Sequence, residues 1–174
     1  MTSPDESLPR VLPGTEGDQD QLRRATAEDV PAVTALVRSA YEGYTSLIGR
    51  TPFPMLTNYA EAVAEHEVWL VDGDDGTLAA LIELIEERDR LWIENVAVDP
   101  ERQRQGLGRR LLAWAEAEAR RRGIPELGLL TNERYLANIA MYERYGYVET
   151  HREPRLGTDV IHFRKPVGGP ASRR

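Results

Sequence analysis

At 174 residues the chain is long enough to bury the core of one domain and short for two. Hydrophobic residues make up 41% and charged residues 29%, the balance of a soluble globular protein, and no apolar run is long enough to span a membrane. The lack of cysteine excludes disulfides, thiolate metal sites and a Cys nucleophile, while a formal net charge of −7 argues against general affinity for nucleic acid.

Residues 1–20 carry Pro4, Pro9, Pro13, Gly14 and Gly17 among acidic and small polar residues. That composition predicts a disordered tail without the hydrophobic stretch of a secretory signal, and hence a cytoplasmic location. Residues 21–26 read as a short strand. Thr26 can cap a helix running to about Tyr41, with Glu28 and Asp29 in its first turn and Pro31 early enough to be tolerated. Val30, Val33, Leu36, Val37 and Ala40 form its apolar stripe. Over residues 42–57, Gly43, Gly49, Pro52 and Pro54 break regularity while Tyr44, Leu47, Ile48, Phe53 and Met55 add apolar surface. Two readings stand for this stretch: a loop pinned to the core by its aromatics, or a wall of an acceptor site. A short helix is predicted at 58–65.

Residues 67–71 and 77–86 read as a hairpin around Asp72-Gly73-Asp74-Asp75-Gly76, a turn that lacks the spacing and terminal Glu of a calcium loop. A second turn at 87–90 leads into Leu91-Trp92-Ile93-Glu94-Asn95-Val96-Ala97-Val98, which completes an antiparallel meander. Leu107, Leu111, Leu112, Ala115 and Ala119 then recur at helical spacing until Gly123 and Pro125. Residues 127–131 predict a strand reached by a crossover, 135–145 a helix closed by Gly146, and 147–152 with 159–165 a last hairpin, Pro154 and Gly157 lying in its connection. Residues 166–174 read as a flexible tail. No repeat or second domain is visible.

The stretch Gln103-Arg104-Gln105-Gly106-Leu107-Gly108 lies between a strand and a helix, where free backbone N–H groups and the positive helix end converge and suit a phosphate. A dinucleotide fingerprint would need Gly or Ala where Leu111 stands, and a Walker loop needs Gly-Lys-Ser/Thr where this chain has Gly-Arg-Arg. Seven arginines fall between 102 and 122. Arg104 and Arg109 read as ligands of a small polyanion, and Arg120, Arg121 and Arg122 as a solvated face paired with Glu116 and Glu118. His66, His151 and His162 show no metal-ligand spacing.

The glycine stretch resembles the (Gln/Arg)-x-x-Gly-x-(Gly/Ala) loop of the GNAT superfamily of acyl-CoA-dependent N-acyltransferases. Val96-Ala97-Val98-Asp99-Pro100 resembles that family's hydrophobic strand ending in Asp/His-Pro, and Tyr142-Glu143-Arg144-Tyr145-Gly146-Tyr147 its late Tyr-Glu-(Lys/Arg)-x-Gly-(Phe/Tyr) segment. The element order β-α-α-βββ-α-β-α-ββ is also similar, over residues 22–165. The resemblance implies one α+β domain at 21–165, three-layered α/β/α, with a mixed twisted sheet flanked by helices. It also implies acetyl-CoA as cosubstrate, no metal, and direct acetyl transfer to a primary amine of a small molecule or peptide. Neither nucleic acid nor membrane is expected as a partner. Similar proteins are commonly dimers, so a homodimer is allowed for.

By that resemblance Gln103, Arg104, Gln105, Gly106, Leu107, Gly108 and Arg109 hold the pyrophosphate, and Val96, Ala97 and Val98 pair with the pantetheine arm as an added strand would. Tyr142 serves the leaving sulfur, and a phenol near its ordinary pKa of about 10 is chemically suited to a thiolate. Two readings stand for Glu94: the family's general base, since by the two-residue period it shares a face with Trp92, Val96 and Val98 and burial in an apolar strand would raise its pKa, or a structural, substrate-orienting or solvent-facing carboxylate near a sheet edge. The family often places an Asn where this chain has Tyr135, so Asn138 or Asn132 is the expected replacement in the CoA contact.

Overall fold

The computed structural model describes residues 10–11 and 21–168, so of the expected tails residues 1–9, 12–20 and 169–174 lie outside the described residues. Within them the chain runs β1 (Arg10–Val11), β2 (Gln21–Arg24), α1 (Val30–Tyr41), α2 (Tyr44–Ile48), α3 (Tyr59–Glu65), β3 (Glu67–Asp72), β4 (Leu78–Glu86) and β5 (Leu91–Val98). It continues with α4 (Leu107–Arg122), β6 (Glu126–Asn132), α5 (Leu136–Arg144), β7 (Val148–Arg155) and β8 (Thr158–Pro166). The strands form one sheet in the order β1-β2-β3-β4-β5-β6-β8-β7, antiparallel throughout except for the parallel β5–β6 pair.

Both faces of the sheet are apolar, so helices must cover both. On one side Leu107, Leu111, Leu112, Trp114 and Ala115 of α4 and Tyr142 of α5 pack with Ile82, Leu91, Ile93, Leu129 and Phe163. On the other, Val33, Leu36 and Val37 of α1 and Tyr59 and Ala62 of α3 pack with Val68, Leu70, Leu81 and Ala97. The three layers are therefore those expected, and each strand's alternation of side chains feeds two cores.

Several boundaries differ from the sequence reading, each for a local reason. Residues 42–57 are not wholly irregular: α2 and a 3-10 turn at Phe53–Leu56 form within them. Pro154 lies inside β7 rather than in the connection, which is tolerable because β7 is the outermost strand. Pro166 still belongs to β8, and Val167 beyond it is buried, its N–H donating to the Pro125 carbonyl at 2.7 Å.

Two features of β5 position the site. The first is a bulge: Glu83 of β4 pairs with Asn95 and Leu84 with Ile93, which leaves Glu94 as the extra residue. The bulge switches the alternation, so Leu91 and Ile93 lie on the same side as Val96 and Val98. The expected shared face of Trp92, Glu94, Val96 and Val98 is thus wrong. The second is that β5 pairs with β6 only at Leu91–Leu127 and Trp92–Gly128, after which the strands part. Gly128 is required here, because a β carbon would stand 2.9 Å from the Trp92 ring.

Arg122 closes the far end of α4 onto the sheet. Its guanidinium donates to Glu67 at 2.6 and 2.8 Å, to Glu86 at 2.8 Å and to Glu118 at 2.8 Å. With Arg120 on Glu116 and Arg121 on Glu118, the three terminal arginines are structural, and Arg122 at 15% side-chain exposure is a clamp rather than a solvated residue. Arg122→Ala removes the cation shared by three carboxylates, and a denaturant titration should show a loss of roughly 2–4 kcal/mol. Arg122→Lys should recover only part of it, since an ammonium cannot reproduce the fork.

Candidate active site

Beyond β5 the chain turns through Asp99, whose Oδ1 accepts from the Glu101 N–H at 3.0 Å, and a 3-10 turn at Pro100–Arg102. Arg102 then reaches back to Asp75 at 2.7 Å and the Thr77 hydroxyl at 3.0 Å. Its guanidinium occupies the space that a β carbon at Gly73 would take, only 1.7 Å away, so the β3–β4 turn accommodates it because residue 73 is glycine. Gln103 Nε2 donates to the Val98 carbonyl at 3.3 Å. The loop is therefore tied to both the strand behind it and the neighbouring turn.

Two residues of the loop adopt left-handed backbone, Arg104 at φ 66° and Gly106 at φ 83°. Gly106 suits that conformation; Arg104 bears strain of the kind that accumulates at functional loops. The loop ends at the first turn of α4, where the N–H groups of Leu107, Gly108 and Arg109 have no preceding helical carbonyl to bond. They face a groove of about 600 Å³ whose walls include Val96, Ala97, Val98, Gln103, Arg104, Gly106, Leu107, Gly108 and Arg109. The opposite wall is α5, with Asn138, Met141 and Tyr142. Thus nearly every expected cofactor-binding residue comes together. Gln105, exposed, is not among the lining residues.

A second cavity, of about 300 Å³, lies where β5 and β6 have separated. Ile48, Arg50, Phe53, Pro54 and Thr57 line it, so residues 42–57 supply one wall of a cavity. Asn95, buried, organises the floor. Its Oδ1 accepts from the Tyr41 hydroxyl at 2.7 Å, its Nδ2 donates to the Tyr59 hydroxyl at 3.2 Å, and Tyr59 in turn donates to the Pro54 carbonyl at 2.9 Å. Tyr41, Val96, Asn138 and Tyr142 line both spaces and mark where they meet.

Tyr142 sits at that junction, 9% exposed, its ring against Tyr147 and Phe163 at centroid separations of 5.8 and 5.9 Å. Burial, with a smaller effect of Tyr44, pushes its phenol well above the ordinary tyrosine value, so it stays a protonated donor through neutral pH. Asn138 Oδ1 is the acceptor for the Tyr44 hydroxyl at 3.5 Å. Asn132, the other candidate for the CoA contact, is committed elsewhere: its Nδ2 donates to the Thr158 hydroxyl at 2.7 Å and its Oδ1 accepts from the Arg134 N–H at 3.0 Å.

The carboxylates depart from expectation. Glu94 lines the 300 Å³ cavity but is exposed, and its Oε2 accepts from the Trp92 indole N–H at 2.7 Å. The bulge has turned it out of the core, so the burial argument does not apply to it. Glu83, directly across the bulge, is 2% exposed and lines the same cavity. Desolvation raises its pKa above the ordinary carboxylate value, offset in part by His66, whose Nδ1 lies 2.6 Å from Glu83 Oε1. The signal was available in Leu81-Ile82-Glu83-Leu84-Ile85, one charge in an apolar run. Arg50, Arg155 and Tyr41 were not singled out by the sequence, since only chain crossings far apart in sequence bring them to the cavity.

The geometry has close counterparts. The sequence profile of the acetyltransferase (GNAT) family matches residues 33–147. The [ribosomal protein bS18]-alanine N-acetyltransferase of Escherichia coli (strain K12) is 44% identical over 61 residues, which is 35% of this chain and 41% of that protein, so the match spans about two fifths of that relative's length. A crystal structure of a GNAT-family acetyltransferase from Desulfovibrio desulfuricans superposes with a TM-score of 0.70 at 26% identity, covering 84% of this chain and 98% of that one. The PaiA N-acetyltransferase of Thermoplasma acidophilum, solved in complex with coenzyme A, shares the fold at a TM-score of 0.67 and 19% identity, over 83% of this chain and 97% of that one. With two thirds of its length under the family profile, and with strand, glycine loop and helix set as described, the chain belongs to the acetyltransferase (GNAT) family.

Proposed function

We propose that this chain transfers the acetyl group of acetyl-CoA directly to a primary amine, with Tyr142 and Glu83 as its proton-handling residues. The observation that carries the reading is the placement of Tyr142 where the phosphate-facing groove opens into the acceptor cavity. Acetyl-CoA supplies the activated acyl carbon as a thioester. The free N–H groups at the start of α4 and the side chains of Arg104 and Arg109 suit its pyrophosphate, and the edge of β5 that β6 leaves open from Ile93 onward suits its amide-bearing arm.

Glu83 takes the ammonium proton of the acceptor, directly or through one water, and so frees the nitrogen lone pair to attack the thioester carbonyl. Backbone N–H groups around Val96 offer the carbonyl oxygen a donor. As the carbon–sulfur bond breaks, Tyr142 donates its phenolic proton to the departing sulfur, and the phenolate takes the second proton that the acylated nitrogen must lose. Glu94, at the exposed rim, attracts the ammonium form without serving as base. Asn138 rather than Asn132 contacts the cosubstrate, because of the two only Asn138 lines the groove, while the Asn132 amide is bonded to Thr158 and the Arg134 N–H. The E. coli relative's name specifies an alanine of a ribosomal protein as its substrate, which supports an amine acceptor for this chain and leaves small-molecule and peptide acceptors both admissible.

Thiol release from acetyl-CoA across a panel of amines, amino acids and peptide N-termini tests the reading. Tyr142→Phe should lower turnover by about a hundredfold with acetyl-CoA affinity unchanged by calorimetry. No acetyl-CoA binding at all would sink the assignment of the groove. The pH profile separates the two carboxylates. Glu83 is a base only when deprotonated, so kcat/KM should rise with pH through its raised pKa. Glu83→Gln should abolish that rising limb and cut activity by about a hundredfold, whereas Glu94→Gln should keep the limb. The reverse pattern would return the base role to Glu94.

A further inference from the structure

The acceptor cavity holds a second charge centre that acetyl transfer itself does not use. Arg50, from the segment after α2, and Arg155, from the end of β7, both line it, opposite in sign to Glu83 and Glu94. Their guanidinium carbons lie 4.6 and 5.8 Å from the centroid of the same ring, Phe53, which is itself 42% exposed. An arginine that spends its flat face on an aromatic ring keeps its in-plane N–H donors for something else.

For Arg50 the described residues do not supply it. Its Nε is buried and has no hydrogen-bond partner among the described residues, and the bond from Nη1 to the adjacent Thr51 carbonyl is long at 3.4 Å. Arg155 gives one N–H to Glu153, its neighbour on the same strand. Among the described residues, neither guanidinium forms an ion pair with Glu83 or Glu94, although all four groups line one cavity. A buried donor left unsatisfied costs stability, and such a cost is offset when a ligand supplies the acceptor.

We propose that Arg50, with Arg155 and Phe53, is a specificity site for an oxyanion carried by the acceptor, so that the acceptor is a small zwitterion with its amine toward Glu83 and its carboxylate or phosphate toward Arg50. The proposal rests on the reading of this cavity as the amine site. Charge complementarity works at both ends: the carboxylates attract the ammonium group and the guanidinium fork binds the oxyanion. A cavity of about 300 Å³ matches a molecule of amino-acid size. It also gives discrimination, because a neutral analogue would leave the buried Arg50 donor unpaired.

Steady-state thiol release from acetyl-CoA should be compared for three sets of acceptors: amino acids, aminoalkyl phosphates, and their neutral carboxamide or decarboxylated counterparts. One or both oxyanion-bearing sets should exceed the neutral set in kcat/KM by about ten- to a hundredfold, and which set leads identifies the oxyanion. In Arg50→Ala that ratio should collapse, and in Arg50→Lys it should recover only in part; the ratio rather than the rate is the readout. Equal use of neutral amines by the wild type, or a ratio preserved in Arg50→Ala, overturns the proposal. Should no amine be turned over, titration of the acetyl-CoA-saturated protein with the oxyanion-bearing amines decides it by NMR. Movement of the Arg50 Nε–H resonance upholds the site and its absence overturns it. Failure of the acetyltransferase reading is distinguishable, since calorimetry would then show no acetyl-CoA binding.

Discussion

The parallel pairing of β5 and β6 ends after Trp92 and Gly128, and the two spaces that make up the site exist because it ends there. A parallel neighbour on the remaining residues of β5 would occupy that edge and leave no opening into the sheet. What holds the strands together up to that point is compact: Leu91 and Leu127 are fully buried against α4, and the Trp92 ring lies across Gly128 where any side chain would collide. Beyond it the sheet is continued by β8 on β6 and by β4 on β5, so each half remains fully paired on its outer side. The opening is thus bounded by stable ladders, which lets a binding surface be both polar and rigid.

The bulge in β5 settles which polar groups enter that opening. Pairing Asn95 with Glu83 while skipping Glu94 turns one carboxylate outward and brings another, from the neighbouring strand, to the cavity wall. The same shift puts Asn95 among Tyr41 and Tyr59, whose hydroxyls satisfy both ends of its amide. A buried amide without those partners would cost more than it contributes, so the tyrosines of α1 and α3 are as much a condition of the site as Asn95 itself. Through Tyr59 and the Pro54 carbonyl the network also fixes the segment after α2 to the sheet.

The arginines of this acidic chain fall into two structural groups. The arginines ending α4 are consumed by Glu67, Glu86, Glu116 and Glu118, and Arg102 by Asp75 and Asp99. Arg104 and Arg109 instead line the groove, Arg109 with its guanidinium 5.8 Å from the Tyr145 ring. The arginines ending α4 thus fasten the helix to the sheet, whereas Arg104 and Arg109 border open space.

The sequence determined the order and kind of nearly every element, because helix and strand periodicity, the Asp99-Pro100 stop, Gly106 and Gly146 act over a few residues. The left-handed turn at Gly106 leading into α4 was legible too, since short motifs record local backbone shape. The sequence misled on Glu94, because the two-residue period that put this residue on a buried face fails at a bulge, and a bulge is set by how two strands register. Glu83, Arg50 and Arg155 were beyond its reach as a group. They come from β4, from the loop after α2 and from the end of β7, and only the closing of the sheet and the packing of α1 bring their charges to one cavity. Local chemistry was written in the chain; the gathering of distant charges around one cavity was decided by tertiary structure, since neither their separation nor their desolvation exists until the strands are in register.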